Sequence, residues 1–253
     1  MIQEWDVKIP ELSGEDKRKV YVFLPECYDF DGGEVRYPVM YMFDGHNVFY
    51  DSHATYGKSW GMEQYMERTG KHLIIVAVEC SHRGNARLSE YSPSDIDNKT
   101  LGQVKGRGKI YMDWLINTLK VQIDRDFRTI PGRESTFICG SSMGGLMSLY
   151  AVTAYNHVFS RAACLSPSLW AIPEEITSIV ESSTIRRGTR IYMDYGSREM
   201  SNHFMSHDAL ISMSGLLLKK NAFLTFRIVP DGTHNEASWE RQIPIFMECL
   251  GVE

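Results

Sequence analysis

Ser142 is the residue whose neighbours most directly suggest chemistry in this chain. It lies in FICGSSMGGLM, residues 137–147, where Gly140 and Gly144 stand two places on either side of it. Ser142, and not the adjacent Ser141, therefore completes the pattern Gly-x-Ser-x-Gly. In a nucleophile elbow this pattern turns the chain sharply from strand to helix and leaves the serine hydroxyl exposed above the sheet. The spacing favours Ser142 as a nucleophile, and a glycine-rich turn without chemistry is the alternative interpretation.

A carboxylate and a histidine follow Ser142 in the order that α/β-hydrolases use, which is serine, acid and then histidine. Glu199 comes after the apolar run RIYMDY, and His234 comes after the apolar run FLTFRIV. Both positions lie just past the carboxyl end of a predicted strand, where open α/β sheets build their sites. In such a set the histidine takes the serine proton and the carboxylate orients the histidine. The order of the three residues thus predicts a serine hydrolase.

Six further segments can be compared with known families: PVMYMFDGHNVF, NARLSEYSPSD, FICGSSMGGLMSLYAV, FSRAACLSPSLW, IYMDYGSRE and PDGTHNEASW. In order and spacing they resemble the esterase family of α/β-hydrolases that includes enterochelin-type esterases, feruloyl and acetyl-xylan esterases, and S-formylglutathione hydrolases. The resemblance extends from about residue 15 to the end of the chain.

This resemblance implies Ser142 as nucleophile, His234 as general base and Glu199 as acid, since the family's acid lies three residues past a glycine that matches Gly196. Many members carry Asp where this chain has Glu, and a carboxylate of either length orients histidine in hydrolases. The family contains acyltransferases and a few proteins without the triad as well as esterases. Acyl transfer on the same triad, and a non-catalytic binding protein with a hydrolase fold, are therefore the alternative functions.

Two other carboxylates compete with Glu199 for the role of acid. Asp194 belongs to the predicted strand RIYMDY, and we expect it to fix the turn at Gly196. Asp231 lies in a Pro-Asp-Gly turn, where an aspartate is expected to bond its own backbone. Glu199 lies in the loop between them and is favoured on position.

Two backbone N–H groups are the candidate oxyanion donors. One is the N–H of Met143, directly after the nucleophile, and the other is expected in the turn after the strand PVMYMF. That turn reads Asp-Gly-His-Asn, and we place the second donor on the backbone of His46. A simple Asp-Gly turn is the alternative interpretation.

These residues need a parallel sheet to position them. Nearly unbroken apolar runs predict strands buried on both faces, and amphipathic stretches between them predict helices on both sides. The predicted strands are 2–9, 19–25, 38–43, 72–79, 136–140, 161–166, 190–195 and 223–229, and the predicted helices are 59–69, 107–126, 142–155, 173–182, 201–220 and 236–250. We therefore expect an α/β-hydrolase fold in one domain, 1–253. Residues 80–106 form a long polar connection that we expect to be functional, and the short stretch 165–189 leaves no room for a large lid.

Few residues of the sequence indicate which substrate is bound, and Trp170 is the one aromatic residue that we expect in a substrate pocket. A metal site is a rival interpretation, because Glu199, His203 and His207 are spaced by four and would share one helix face. A helix N-cap at Ser201 or Asn202 would instead leave Glu199 free to meet His234. The serine mechanism requires no cofactor and no metal.

Composition limits the partners. The 253 residues carry a net charge of −5, and no basic block is longer than three residues, which disfavours nucleic acid and anionic membranes. The N-terminus lacks a signal-peptide pattern and no window is apolar enough to span a membrane. Five cysteines without a metal or redox motif indicate a reduced, cytoplasmic protein. We expect a small or soluble ester as substrate, and strand 2–9 could pair with a second copy of the chain to form a homo-oligomer.

Overall fold

A central sheet of eight strands organises the protein. The computed structural model describes residues 1–30, 32–199 and 204–252. In chain order the strands are β1 (Ile2–Lys8), β2 (Lys17–Phe23), β3 (Val39–Met42), β4 (Ile74–Val78), β5 (Ile96–Asn98), β6 (Gly102–Val104), β7 (Thr136–Ser141), β8 (Arg161–Leu165), β9 (Arg190–Gly196) and β10 (Phe223–Val229). The large sheet has the order β1-β2-β4-β3-β7-β8-β9-β10, and β5 pairs with β6 in a separate hairpin. The first two strands are antiparallel to their neighbours and all later pairs are parallel.

Helices cover both faces of this sheet. They are α1 (Pro10–Ser13), α2 (Met62–Thr69), α3 (Ala86–Glu90), α4 (Gly108–Trp114), α5 (Lys120–Asp126), α6 (Met143–Ala154), α7 (Pro173–Ser182), α8 (Phe204–Lys219), α9 (Glu236–Glu240) and α10 (Ile243–Leu250). A π-helical turn, Leu115–Leu119, joins α4 to α5 without a break.

Two apolar cores lie on opposite sides of the sheet. One contains the buried faces of α4 to α8, and the other contains those of α2, α9 and α10. Along β3, Met40 and Met42 contribute to one core while Tyr41 contributes to the other, because successive strand side chains point to opposite faces. The mostly parallel α/β-hydrolase sheet expected from the sequence is confirmed.

The structure corrects three details of the predicted elements. Residues 80–106 are not one irregular connection, since they contain α3 and the β5–β6 hairpin. The single helix expected over 236–250 is two helices, because the chain turns at Gln242 ahead of Pro244. Strand β10 is buried on neither face along most of its length, since it forms the far edge of the sheet.

Candidate active site

Ser142 occupies a strained turn between β7 and α6. Its backbone φ is 58°, a left-handed value that is uncommon for a residue with a side chain. Glycines allow the close packing that this turn requires. A Cβ added at Gly140 would lie 2.6 Å from the carbonyl oxygen of Gly144, and one at Gly144 would lie 3.0 Å from Cβ of Phe43. The elbow therefore leaves no room for a side chain at Gly140, and a side chain at Gly144 would require Phe43 to move.

The loops after β9 and β10 bring Glu199 and His234 together. His234 Nδ1 donates to Glu199 Oε2 across 2.6 Å. The Glu199 side chain is 3% exposed, whereas the His234 side chain is 43% exposed. The other Glu199 oxygen accepts from the Gly196 N–H at 3.0 Å and from the Ser166 hydroxyl at 2.9 Å. The carboxylate is thus buried with three hydrogen bonds, as a charged group removed from water requires.

Ser166 and Trp239 complete this arrangement, and the sequence reasoning did not identify either. The Trp239 indole N–H donates to Ser166 Oγ at 3.0 Å, and Ser166 in turn donates to Glu199. The Trp239 ring also lies edge-on to the His234 ring, with centroids 5.1 Å apart. Ser166 has a φ of 43°. The only sequence signal for these contacts was that both residues lie in segments shared with the family.

Ser142 Oγ lies next to a second hydroxyl in this structure. Its hydrogen-bond partner is Ser168 Oγ, at 3.3 Å. Among the described residues, it forms no hydrogen bond with the His234 ring, although both side chains line the same two cavities. Catalytic hydrogen bonds are often long or misaligned before substrate binds.

The two competing carboxylates are engaged elsewhere. Asp194 is 1% exposed and accepts from the Ser166 N–H at 3.2 Å and the Tyr192 hydroxyl at 2.8 Å. Burial raises the pKa of Asp194 to about 7. Asp231 forms an exposed ion pair with Arg198, whose Nη2 lies 2.7 Å from Oδ1. The Gly196 N–H donates to Glu199, and Arg198 pairs with Asp231, so the described partners of the two competing carboxylates differ from those expected.

An ion pair holds the turn after β3. Asp44, with a φ of 56°, accepts two hydrogen bonds of 2.7 Å from the Arg87 guanidinium. Burial is the largest single influence and acts to raise the pKa of Asp44, but the charge and hydrogen bonds of Arg87, together with His46 and Cys80, lower the pKa below its ordinary value. A Cβ at Gly45 would lie 2.8 Å from backbone carbons of Ala77 and Val78, so the turn packs directly on β4. Arg87 lies on α3, within the segment that the sequence marked as functional.

The two candidate oxyanion donors lie in two different elements of the chain. Met143 begins α6, and His46 lies in the turn after β3. Within the described chain, neither of their N–H groups donates to a protein acceptor. Buried N–H groups are normally paired, so two unpaired ones are unusual. Both can donate to an oxygen of a ligand.

Ser142 and His234 border two cavities. The first, which we call the Trp170 cavity, has a volume of about 420 Å³ and is also lined by Thr100, Ser168, Trp170, Tyr195, Arg198, Glu199 and Thr233. The second, which we call the His46 cavity, has a volume of about 400 Å³ and is lined by Ser141, Asp44, His46, Cys80, His82, Arg87, Trp239 and others. Residues of the segment 80–106 border both cavities. Trp170, which was expected in a substrate pocket, lines the first cavity together with Ser142 and His234.

The rival metal site cannot be placed. His203, Ser201 and Asn202 lie outside the described residues, and so does the side chain of His207. Among the described residues, no helix has the length and apolar character needed to cross a membrane.

Comparisons with known proteins identify the family of this chain. The chain matches the family described as "Putative esterase" over residues 12–245. It is 26% identical over 187 residues to the uncharacterized protein YbbA of Bacillus subtilis (strain 168), an alignment covering 72% of this chain and 69% of that protein.

Solved structures share the fold. The BES protein from Bacillus cereus superposes with a TM-score of 0.75 at 20% identity, covering 100% of this chain and 95% of that one. An IroE-like serine hydrolase from Shewanella oneidensis has a TM-score of 0.74 at 17% identity, covering 100% of this chain and 89% of that one. The family match covers most of the chain, and the protein is therefore an esterase that belongs to the Putative esterase family.

Proposed function

We propose that the protein hydrolyses small or soluble carboxylic esters through a Ser142–His234–Glu199 triad and an acyl-enzyme. The observation that carries the proposal is the 2.6 Å hydrogen bond from His234 to the buried Glu199, beside the strained elbow of Ser142. An acid, a base and a half-buried nucleophile then line one cavity at the carboxyl edge of the sheet, where α/β-hydrolases act.

The reaction divides into two half-reactions with the same residues. His234 Nε2 takes the proton of Ser142 Oγ as the oxygen attacks the ester carbonyl, and the resulting imidazolium then protonates the leaving alcohol. Water attacks the acyl-enzyme in the second half, with His234 as base and then as acid. Glu199 stays ionised, holds the tautomer with the proton on Nδ1, and stabilises the imidazolium.

The negative charge on the carbonyl oxygen is assigned to the N–H groups of Met143 and His46. Each such donor is worth roughly a hundredfold or more in turnover. Asp44 supports the second donor indirectly, because its bidentate ion pair with Arg87 fixes the turn that carries His46. Positioning of this kind requires no reorganisation when charge develops.

The cavities limit the ester in size. Both hold a few hundred Å³, which suits a compact acyl or alcohol group rather than a long lipid chain. Trp170 and Tyr195 give the Trp170 cavity its apolar wall, and we assign the apolar half of the ester to it. The His46 cavity is more polar and would take the other half.

Cellular context is part of the proposal. We infer one domain over residues 1–253 and a cytoplasmic location, which fits five free thiols in a reducing compartment. Strand β1 lies at the open edge of the sheet, so two copies could pair along it.

Turnover of a chromogenic acetyl ester, with and without a chelator, tests the function. The proposal predicts hydrolysis that persists in the chelator. Loss of turnover in the chelator would indicate a metalloenzyme, and no turnover with any ester of a panel would indicate a binding protein. Faster product release with added alcohols, accompanied by new esters, would indicate acyl transfer.

A further inference from the structure

Three potential metal ligands meet in the His46 cavity, apart from the triad. They are His46, Cys80 and His82, and one ligand atom from each lies within 4.8 Å of the other two. The sheet accounts for this meeting. β3 and β4 are parallel neighbours, so the turn that carries His46 and the loop that carries Cys80 and His82 leave the same edge side by side.

The orientation of the His46 ring points to a ligand. Its Nε2 lies 3.0 Å from the hydroxyl of Thr55, which fixes the ring. The other ring nitrogen, Nδ1, is buried and has no hydrogen-bond partner among the described residues. An imidazole held on one nitrogen by a second residue, with its other nitrogen open, is the usual state of a metal-binding histidine.

The three donors suit one class of ion. Two imidazole nitrogens and one thiolate sulfur favour zinc or a similar borderline-soft divalent ion over magnesium or calcium. Around a tetrahedral zinc such atoms lie about 3.3–3.8 Å apart, given bond lengths of about 2.0–2.3 Å. His82 is exposed and packs edge-on to His46, with ring centroids 4.6 Å apart, so its side chain is free to close the remaining gap.

We propose that His46, Cys80 and His82 bind one zinc ion, and that the bound ion inhibits the esterase. The thiol proton of Cys80, which faces the Asp44 carboxylate, leaves to solvent as the Zn–S bond forms. The fourth position opens into the cavity that Ser142 and His234 also line. Inhibition follows because the ion occupies one half of the substrate site and pulls on the turn that carries the proposed oxyanion donor. Only the inhibition, and not the binding, rests on the proposed function.

Calorimetry with Zn²⁺ on the full chain tests the binding directly, and Co²⁺ serves as a spectroscopic probe. We expect one ion per chain and a thiolate-to-cobalt charge-transfer band. His82→Ala should weaken binding by roughly tenfold or more, and Cys80→Ser should remove the charge-transfer band. His157 is an exposed histidine that lines a different cavity, so His157→Ala is the matched control and should bind as wild type does.

Inhibition is measured as turnover in Zn²⁺ relative to the same variant's turnover in chelator. Wild type and His157→Ala should lose roughly tenfold or more in Zn²⁺ and recover fully in chelator, whereas His82→Ala should lose much less. Absence of saturable binding, or binding that His82→Ala and Cys80→Ser both leave unchanged, would overturn the site. Binding that leaves wild-type turnover unchanged would overturn the inhibition.

Discussion

The two sides of Ser142 differ in how their polar groups are satisfied. On the side of β9 and β10, Glu199 accepts three hydrogen bonds, and Ser166 links it to Trp239. On the side of β3 and β4, the Asp44–Arg87 pair is satisfied, but the ring nitrogen Nδ1 of His46 is not. Its backbone N–H also lacks a protein acceptor within the described chain.

In the proposed mechanism, this difference separates a group that is charged before the reaction, Glu199, from a group that would bind a charge formed only during the reaction, the backbone N–H of His46. A permanent carboxylate must be fully hydrogen-bonded when it is buried, so its surroundings are complete in the free protein. An oxyanion exists only during the reaction, and its donors must therefore be left open and held in place. We therefore expect substitutions near Glu199 to have effects of a different kind and size from those of substitutions near His46.

The largest effect is expected at the residue that both sides share. Ser142→Ala should lower ester turnover by roughly a thousandfold or more, because no other group forms the acyl-enzyme. Ser141→Ala, the adjacent control, should retain most activity, since its side chain lies at the end of β7 and borders only the His46 cavity among the two. Steady-state kinetics with one chromogenic ester would measure both variants. Equal losses would contradict the assignment of Ser142, rather than Ser141, as the nucleophile.

On the side of β9 and β10, Glu199→Gln should lower turnover by roughly a hundredfold or more while the protein still folds. The amide is neutral, so it can no longer stabilise the imidazolium of His234. Asp231→Asn is the control, because its carboxylate is exposed and pairs with Arg198. Near wild-type turnover in Glu199→Gln, together with loss in Asp194→Asn or Asp231→Asn, would assign the acid elsewhere.

Asp194, on the same side of Ser142, allows a test that measures stability rather than turnover. Burial raises its pKa from 3.8 to about 7, so the folded state binds more protons than the unfolded state between these values. Stability from this group is therefore lost as pH rises through that window. The free energy of unfolding of Asp194→Asn, relative to that of wild type, should therefore rise by about 3 kcal/mol between about pH 5 and about pH 8.

Chemical denaturation of both proteins at each pH would show the gain as curves that diverge with rising pH. Asp231→Asn, measured in parallel, controls for removal of an exposed carboxylate. Parallel curves for Asp194→Asn and wild type would contradict the burial of an ionisable group at this position.

The smallest effect is expected on the side of β3 and β4. Asp44→Asn should lower kcat by roughly tenfold with little change in KM, because the turn that carries His46 loses its ion pair with Arg87 but keeps its packing on β4. Lys105, whose ion pair with Asp95 is exposed, offers a matched control in Lys105→Gln. A rise in KM at constant kcat would show that Asp44 acts in substrate binding instead.

The sequence predicted the elements of the sheet well because their signals are local. Continuous apolar runs mark β3, β4, β7, β8 and β9 as buried strands, and α7 was predicted with its observed bounds. The edge position of β10 was missed, since an apolar run has the same composition whether or not a neighbour covers it. The helix and hairpin within 80–106 were missed because short elements held by tertiary contacts lack periodicity.

The site divides in the same way. The places of Ser142, Glu199 and His234 just past the ends of three strands could be predicted because each follows an apolar run, and their catalytic roles stay a prediction. The link from Trp239 through Ser166 to Glu199 joins residues far apart in sequence. Trp239 and Ser166 differ by 73 in residue number. The pairing of Asp44 with Arg87 spans 43 positions. No local pattern encodes such contacts, so they required the folded structure.

Covalent labelling tests the central claim most directly, since a fluorophosphonate reacts only with a serine that a neighbouring base and oxyanion donors activate. Wild-type protein should gain one adduct, and peptide mass spectrometry should place it on Ser142. Labelling should fall strongly in Glu199→Gln and persist in Ser141→Ala. An adduct on any other residue, with Ser142 unmodified, would contradict the account.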